Sequence, residues 1–173
     1  MRYTEDNRKF FLQSAKDLAP LLLGKLLCKK FLDGAVRKLR ITETEAYCEQ
    51  DSASHSSRGM TKSNRSMFMI GGTAYVFNCH GWQFNIICNS VNVGEGVLIR
   101  GAGDYDGPVK LTKALDIIKE NVDGTDLLSP QSPIWIEDDG YETHYEMTTR
   151  KLGENKSADT KAQNRKWRFC LVR

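Results

Sequence analysis

No apolar run in this 173-residue chain is long enough to cross a bilayer as a helix. The longest, Leu18 to Cys28, carries Lys25 and reaches about half of the roughly 20 residues such a helix needs. The first residues, Met1 to Lys9, are too charged to form the apolar core of a signal peptide, so export by that route is not expected. The five cysteines, Cys28, Cys48, Cys79, Cys88 and Cys170, are odd in number, widely spaced and never arranged as C-x-x-C. That spacing argues against a zinc site, and the adjacent Cys79 and His80 are poorly placed to share an ion. Reduced thiols in a cytoplasmic, nucleoid-associated or nuclear protein are the expectation. No internal repeat, linker or low-complexity block divides the chain, which therefore reads as one domain over residues 1–173, long enough to bury about two thirds of its unfolded surface.

Charge of one sign is not in large excess: the formal net charge is +3. Its distribution is uneven. Lys25, Lys29, Lys30, Arg37, Lys38 and Arg40 share one early segment with only Asp33 as a counter-charge. Arg150, Lys151, Lys156, Lys161, Arg165, Lys166, Arg168 and Arg173 crowd the end of the chain, whereas acidic residues gather at Glu137 to Asp139 and at Glu142 and Glu146. Such segregation suits a protein with one face toward a polyanion, and equally suits ordinary solvated faces.

Apolar periodicity predicts an amphipathic helix over residues 7–18, a second helical start after Pro20 and a leucine stripe from Leu21 to Leu27. Cys28 to Asp33 and Val36 to Thr44 read as a hairpin turning at Asp33-Gly34. This places Glu45 at or just past a strand end. Residues 49–66 read as a long polar segment with a short helix around Ser52 to His55; long ordered segments of this kind are usually functional. Strands are predicted at Ala74 to Phe77, Phe84 to Asn89, Val97 to Arg100, Ile134 to Ile136 and Trp167 to Val172, with a turn at Asp139-Gly140. Pro108 opens a helix reaching about Glu120. Strands and helices do not alternate regularly, so a doubly wound parallel sheet is disfavoured and an α+β domain with an antiparallel sheet is expected.

The densest chemistry lies in Glu43-Thr-Glu45-Ala-Tyr47, His55, Arg58 and Asn64-Arg65-Ser66-Met67-Phe68-Met69. A carboxylate base, stacking rings and cations within so short a span are what hydrolysis on a polyanion requires. With Leu22-Leu-Gly24, Gly72-Thr-Ala-Tyr75-Val76, Gly81, Leu98-Ile-Arg100, Gly107-Pro108, Lys110-Leu111, Ala114-Leu115 and Trp167-Arg-Phe169, the chain resembles the alkyladenine (3-methyladenine, or methylpurine) DNA glycosylases. The motifs occur in that family's order from about residue 14 to 172.

The resemblance implies a monofunctional enzyme of base-excision repair that flips alkylated or deaminated purines out of duplex DNA and hydrolyses the N-glycosidic bond. It implies a curved antiparallel sheet surrounded by helices, similar to the C-terminal domain of formyltransferases, working as a monomer on double-stranded DNA with no cofactor, metal or membrane. Glu45 matches the catalytic base and Arg100 the arginine that holds the water and the nucleotide phosphate. Glu43 is expected on the other side of the strand, outside the pocket. The backbone carbonyl that completes the water's hydrogen bonds falls at Lys151 or Leu152. Tyr47, His55 and Phe77 match the ring-lined base pocket, with a main-chain hydrogen bond from the His55 position to the purine. Ile87 occupies the place of a pocket asparagine, for which Asn85 and Asn89 are possible replacements. His80 stands at the hairpin tip where the family has a minor-groove wedge, with Trp82 beside it. Arg58, Lys62, Arg65, Lys110 and the C-terminal cations are candidate phosphate contacts. Because His80 and Ile87 depart from the family pattern, the alternative is a catalytically weak protein that binds damaged DNA on the same fold. A related-fold module for RNA or another ligand leaves Glu45, Tyr47 and His55 without a joint role.

Overall fold

The computed structural model describes residues 1–172; Arg173, one of the C-terminal cations, lies outside the described residues. The chain folds as an α+β structure whose strands form one strongly curled antiparallel sheet. Strands β1 (Leu26–Lys30) and β2 (Val36–Tyr47) make the first hairpin, β3 (Ala74–Asn78) and β4 (Trp82–Cys88) the second, and β5 (Glu95–Ala102) closes back onto β2. The two-residue strand β6 (Tyr105–Asp106) pairs back on β5; β7 (Ile134–Glu137) pairs with β1, while β8 (Tyr145–Thr148) and β9 (Arg168–Leu171) extend the sheet from β2. The main order is β3-β4-β5-β2-β1-β7. Helices α1 (Ala15–Leu22), α2 (Pro108–Ala114), α3 (Lys119–Val122) and α4 (Thr160–Asn164) are short. Among the described residues no helix is long and apolar enough to cross a membrane.

The two faces of the sheet carry different chemistry because side chains alternate along a strand. One face is apolar: Ala74 and Val76, Phe84 and Ile86, Val97 and Ile99, and Ala46 are buried in the main core with Leu18 and Leu22 of α1 and Leu111 of α2. The opposite face presents Tyr75 and Phe77, Asn85 and Ile87, Leu98 and Arg100, and Glu45 and Tyr47. The register puts Tyr75 opposite Asn85, Asn85 opposite Leu98, and Leu98 opposite Glu45, so these residues form one row across four strands.

Several sequence expectations are corrected. The helix expected over residues 7–18 is two pieces: a 3-10 helix, Glu5–Phe11, and α1, separated by Ser14, which is extended (ψ 154°). Pro20 lies inside α1 rather than opening a new helix, and the chain leaves α1 just ahead of Gly24, at φ +76°. The helix expected from Pro108 to Glu120 ends at Ala114, and Asp116, at φ +50°, turns the chain before α3. The second strand runs on to Tyr47, so Glu45 is inside β2 rather than at its end. No helix forms at Ser52 to His55; turns occupy that segment.

The charge segregation is partly cancelled by folding. Lys25 pairs with Asp138 at 2.8 Å, Lys38 with Glu137 at 2.6 Å and Arg40 with Asp139 at 2.7 Å. Half of the early basic segment thus meets Glu137 to Asp139 where β1, β2 and β7 lie side by side.

Candidate active site

The sequence-distant parts of the site meet over the polar face of the sheet. There they line a cavity of about 980 Å³, walled by Tyr47, His55, Phe77, Asn85, Arg100 and Lys151 among others. The floor includes Tyr75, Asn85 and Leu98 of the row just described; the turns of residues 49–64 and the segment after β8 form the walls.

Glu45 is fully buried directly behind that wall. Its Oε1 accepts the Lys151 backbone N–H at 2.6 Å, and its Oε2 accepts the Tyr47 hydroxyl at 2.8 Å. Arg100 Nη1 stands 3.6 Å from Oε2. A buried carboxylate is tolerated only with such partners, and these three contacts all stabilise negative charge. Burial, reinforced by Glu45, raises the Tyr47 phenol well above its ordinary value, so Tyr47 remains a donor. The contribution of Lys151 seen here is its N–H, not the carbonyl expected at Lys151 or Leu152; both residues line the cavity.

Glu43 is not on the other side of the strand. Residues two apart in a strand share a face, and the register of β2 against β5 shifts on either side of Glu43. Its Oε1 accepts from Arg100 Nε at 3.2 Å and from Arg168 Nη1 at 2.8 Å. The two carboxylates therefore flank one guanidinium.

The aromatic residues cluster at the opposite end of the row. The His55 and Phe77 rings meet edge to face at 4.1 Å between centroids, and Phe77 stacks on Tyr75 at 5.6 Å. His55 Nδ1 lies 3.1 Å from the Tyr75 hydroxyl. Asn64 donates to the His55 carbonyl at 3.0 Å and to the Gly59 carbonyl at 3.1 Å, which ties the turn down; among the described residues the His55 N–H has no acceptor. Tyr75, Asn64, Leu98 and Lys119 also line the cavity and carried no separate signal as pocket residues in the sequence. Burial lowers the His55 imidazole below its ordinary value, although the residue keeps an exposed edge. The unfolded chain therefore takes up a proton as pH falls through about 6.5 while the folded chain holds off to lower pH. Stability from this group is complete above about 6.5 and declines as pH falls toward the folded value. His55→Gln is expected to narrow the difference in Tm between pH 7 and pH 5; an unchanged difference contradicts this environment for the ring.

The remaining predicted residues divide. Asn85 is buried on the cavity floor and donates to the Tyr75 carbonyl at 3.3 Å. Ile87 does not reach the cavity but packs beneath it with Met67, Phe68 and Tyr75. Asn89 is excluded from the site: β4 ends at Cys88, and Asn89, at φ +69°, bonds through its backbone to Phe11 and Gly71. His80 is exposed at the β3–β4 tip at φ +55°, a conformation that β-branched residues avoid. Gly81 follows at φ +129°, where a Cβ would lie 2.5 Å from Val109. Trp82 is half-buried against the core and its carbonyl accepts from Thr112 at 2.8 Å, so it is anchored where His80 is free. Both border the cavity.

Arg58, Lys62, Arg65 and Lys110 are exposed, and Arg58 borders the cavity with Lys119. The C-terminal cations are a correction. Arg150 is buried, paired with Asp51 and bonded to the carbonyls of Ala46 at 3.0 Å and Ala162 at 2.9 Å. Its guanidinium lies over the Tyr47 ring at 4.8 Å. Arg165 stands 3.5 Å from Asp51 and Arg168 is held by Glu43, so these three are framework rather than free phosphate ligands.

Comparison with known proteins gives one consistent result. A family model described as methylpurine-DNA glycosylase matches residues 9–104. A protein of Mesorhizobium japonicum provisionally named 3-methyladenine DNA glycosylase is 34% identical over 162 residues, covering 82% of this chain and 76% of the relative. A protein of the same provisional name from Synechococcus elongatus is 34% identical over 169 residues, covering 92% and 84%. The DNA-3-methyladenine glycosylase of Arabidopsis thaliana is 44% identical over 101 residues, covering 57% of this chain and 38% of its own.

Proposed function

Because the chain belongs to the methylpurine-DNA glycosylase family, we propose that it is a monofunctional DNA-3-methyladenine glycosylase of the type II class. It everts an alkylated or deaminated purine nucleotide from duplex DNA and hydrolyses its N-glycosidic bond, acting as one domain and as a monomer. The observation that carries this reading is the placement of Glu45 immediately behind a cavity lined by Tyr47, His55, Phe77, Arg100 and Lys151, in contact with Arg100 and the Lys151 N–H.

In the proposed reaction the purine enters between the Tyr47 and Phe77–His55 sides of the cavity. An alkylated purine is electron-poor, and stacking on aromatic faces is worth about 1–3 kcal/mol per base. The His55 N–H is available to an acceptor on the purine edge. The bond from the sugar's anomeric carbon to the ring nitrogen breaks, and its electron pair leaves with the base: a cationic purine departs neutral, and hypoxanthine departs as an anion that takes a proton from water. The sugar is left short of electrons, and Glu45 and the phosphate-facing end of Arg100 set its electrostatic surroundings. A water oxygen bonds to the anomeric carbon and its proton passes to Glu45. For Glu45 to meet that water, the Tyr47 hydroxyl must release Oε2, which a ring turning to stack on the base would do. His80 fills the vacated step in the duplex, and Arg58, Lys62, Arg65 and Lys110 hold phosphates around the cavity mouth.

The test is the fate of duplex oligonucleotides bearing one N7-methylguanine or one hypoxanthine. Release of free base from either lesion, with an abasic strand that breaks only on later alkaline treatment, is the expected result. Tight binding without release supports a damage-binding protein instead; strand cleavage without alkali contradicts the monofunctional assignment.

A further inference from the structure

Arg100 touches Glu45 only as an ion pair at 3.6 Å, a separation beyond hydrogen-bonding reach. The hydrogen bond that fixes its guanidinium comes from elsewhere: Nε donates to Glu43 Oε1 at 3.2 Å. A guanidinium tethered at Nε has its two terminal nitrogens aimed in a set direction, because the group is planar and rigid. The same Glu43 oxygen accepts from Arg168 Nη1 at 2.8 Å, so the carboxylate is pinned between β5 and β9, the strands that flank this part of β2. All three side chains are largely buried, at 12–17% exposure, so they are held by contacts rather than left to solvent. The register shifts around Glu43 re-aim its side chain, a common use of strand irregularities beside functional sites.

We propose that Glu43 is a positioning residue for the reaction. It orients Arg100 beside Glu45, with Arg168 as the cation that keeps Glu43 itself in place. The four form an alternating row, Arg168–Glu43–Arg100–Glu45. Glu43 touches neither water nor nucleotide; it acts through Arg100. Without it the Arg100 side chain is free to swing toward Glu45 or toward the phosphate, and misplacement of a catalytic group by about 1 Å can cost on the order of 10²-fold. This inference rests on the glycosylase reading given above.

The experiment is a double-mutant cycle on Glu43→Ala and Arg100→Ala. It is read as the single-turnover rate of base release from an N7-methylguanine duplex at saturating protein, together with the Kd for that duplex. Glu43→Ala is expected to lower the rate roughly 10²-fold with Kd changed by less than about threefold. In the Arg100→Ala background the same substitution should cost less than about threefold, because residues acting as one unit are not additive. Glu43→Gln keeps an acceptor for Nε in nearly the same shape, serves as the second variant should Glu43→Ala fail to fold, and should recover the rate to within about tenfold of wild type. Equal losses in both backgrounds, or a loss confined to Kd, overturn the positioning role. A wild-type chain that releases no base from any lesion overturns the glycosylase reading, a result distinct from an active wild type matched by an equally active Glu43→Ala.

Discussion

Glu45→Gln is expected to lower the single-turnover rate of base release by about 10²- to 10⁴-fold, the range over which a positioned proton acceptor contributes to catalysis. Affinity for lesion-bearing duplex should stay within a few-fold of wild type. The substitution is close to isosteric, and the amide oxygen can still accept the Lys151 N–H that Glu45 Oε1 accepts at 2.6 Å. What is lost is the charge facing Arg100 and the capacity to take a proton from water. The other rings of the cavity, His55 and Phe77, and the candidate phosphate contacts Arg58, Lys62, Arg65 and Lys110 make no hydrogen bond or ion pair with residue 45. A variant that binds normally and cleaves normally would remove Glu45 from the mechanism. A variant that neither folds nor binds would show that its burial is structural, and Glu45→Asp would then report on the chemistry.

The second large effect is on stability. Asp51 and Arg150 form an ion pair whose side chains are both fully buried. Arg150 Nη2 also bonds Asp51 Oδ1 at 3.1 Å, and Arg150 Nε has no partner among the described residues. Removing one member of a buried pair strands the other charge, at a cost of about 3–5 kcal/mol. In a chain of this size each kcal/mol moves Tm by about 2–4 °C, so Asp51→Ala should lower the thermal midpoint by roughly 6–20 °C. Asp51→Asn, which keeps acceptors for Arg150, should fall between the two. Arg150 also supports the Tyr47 ring and bonds the Ala46 carbonyl, both neighbours of Glu45. Asp51→Ala is therefore expected to slow base release even at temperatures where the variant is folded. A midpoint within about 2 °C of wild type, less than one kcal/mol in a chain of this size, would contradict the pair's assigned weight.

The sequence made the central strands legible because they are short, mostly apolar runs bounded by turn residues. In β3, β4 and β5 at least three consecutive residues are buried. It failed where tertiary contact replaces pattern. Strand β8, Tyr145–Thr148, is almost wholly exposed and sits in an acidic stretch, so no alternation marks it; it exists through pairing with β9. The break at Asp116 gives no periodic signal, since Leu111, Leu115 and Val122 are all buried on either side of it. The charge runs misled for the same reason: Lys38 and Glu137 are 99 positions apart, and only the pairing of β1 with both β2 and β7 brings them together.

Of the candidate site, the parts carried by short motifs were visible. Glu45, Tyr47, Arg100, His55 and Phe77 gather around one cavity. The parts that hold them were not. Asp51 and Arg150 are ordinary charged residues until the fold buries both, and Lys151 contributes a backbone N–H that no side-chain identity encodes. Asn89 looked like a pocket residue because β4 was read one position too long.

The most direct test of the account is the structure of the Glu45→Gln variant bound to duplex DNA carrying N7-methylguanine. The account predicts the methylated base in the cavity between Tyr47 and Phe77, His80 in the step it left, and a water between residue 45 and the anomeric carbon of the everted sugar. A base still stacked in the duplex, or one everted with its anomeric carbon facing away from residue 45 and Arg100, would contradict it.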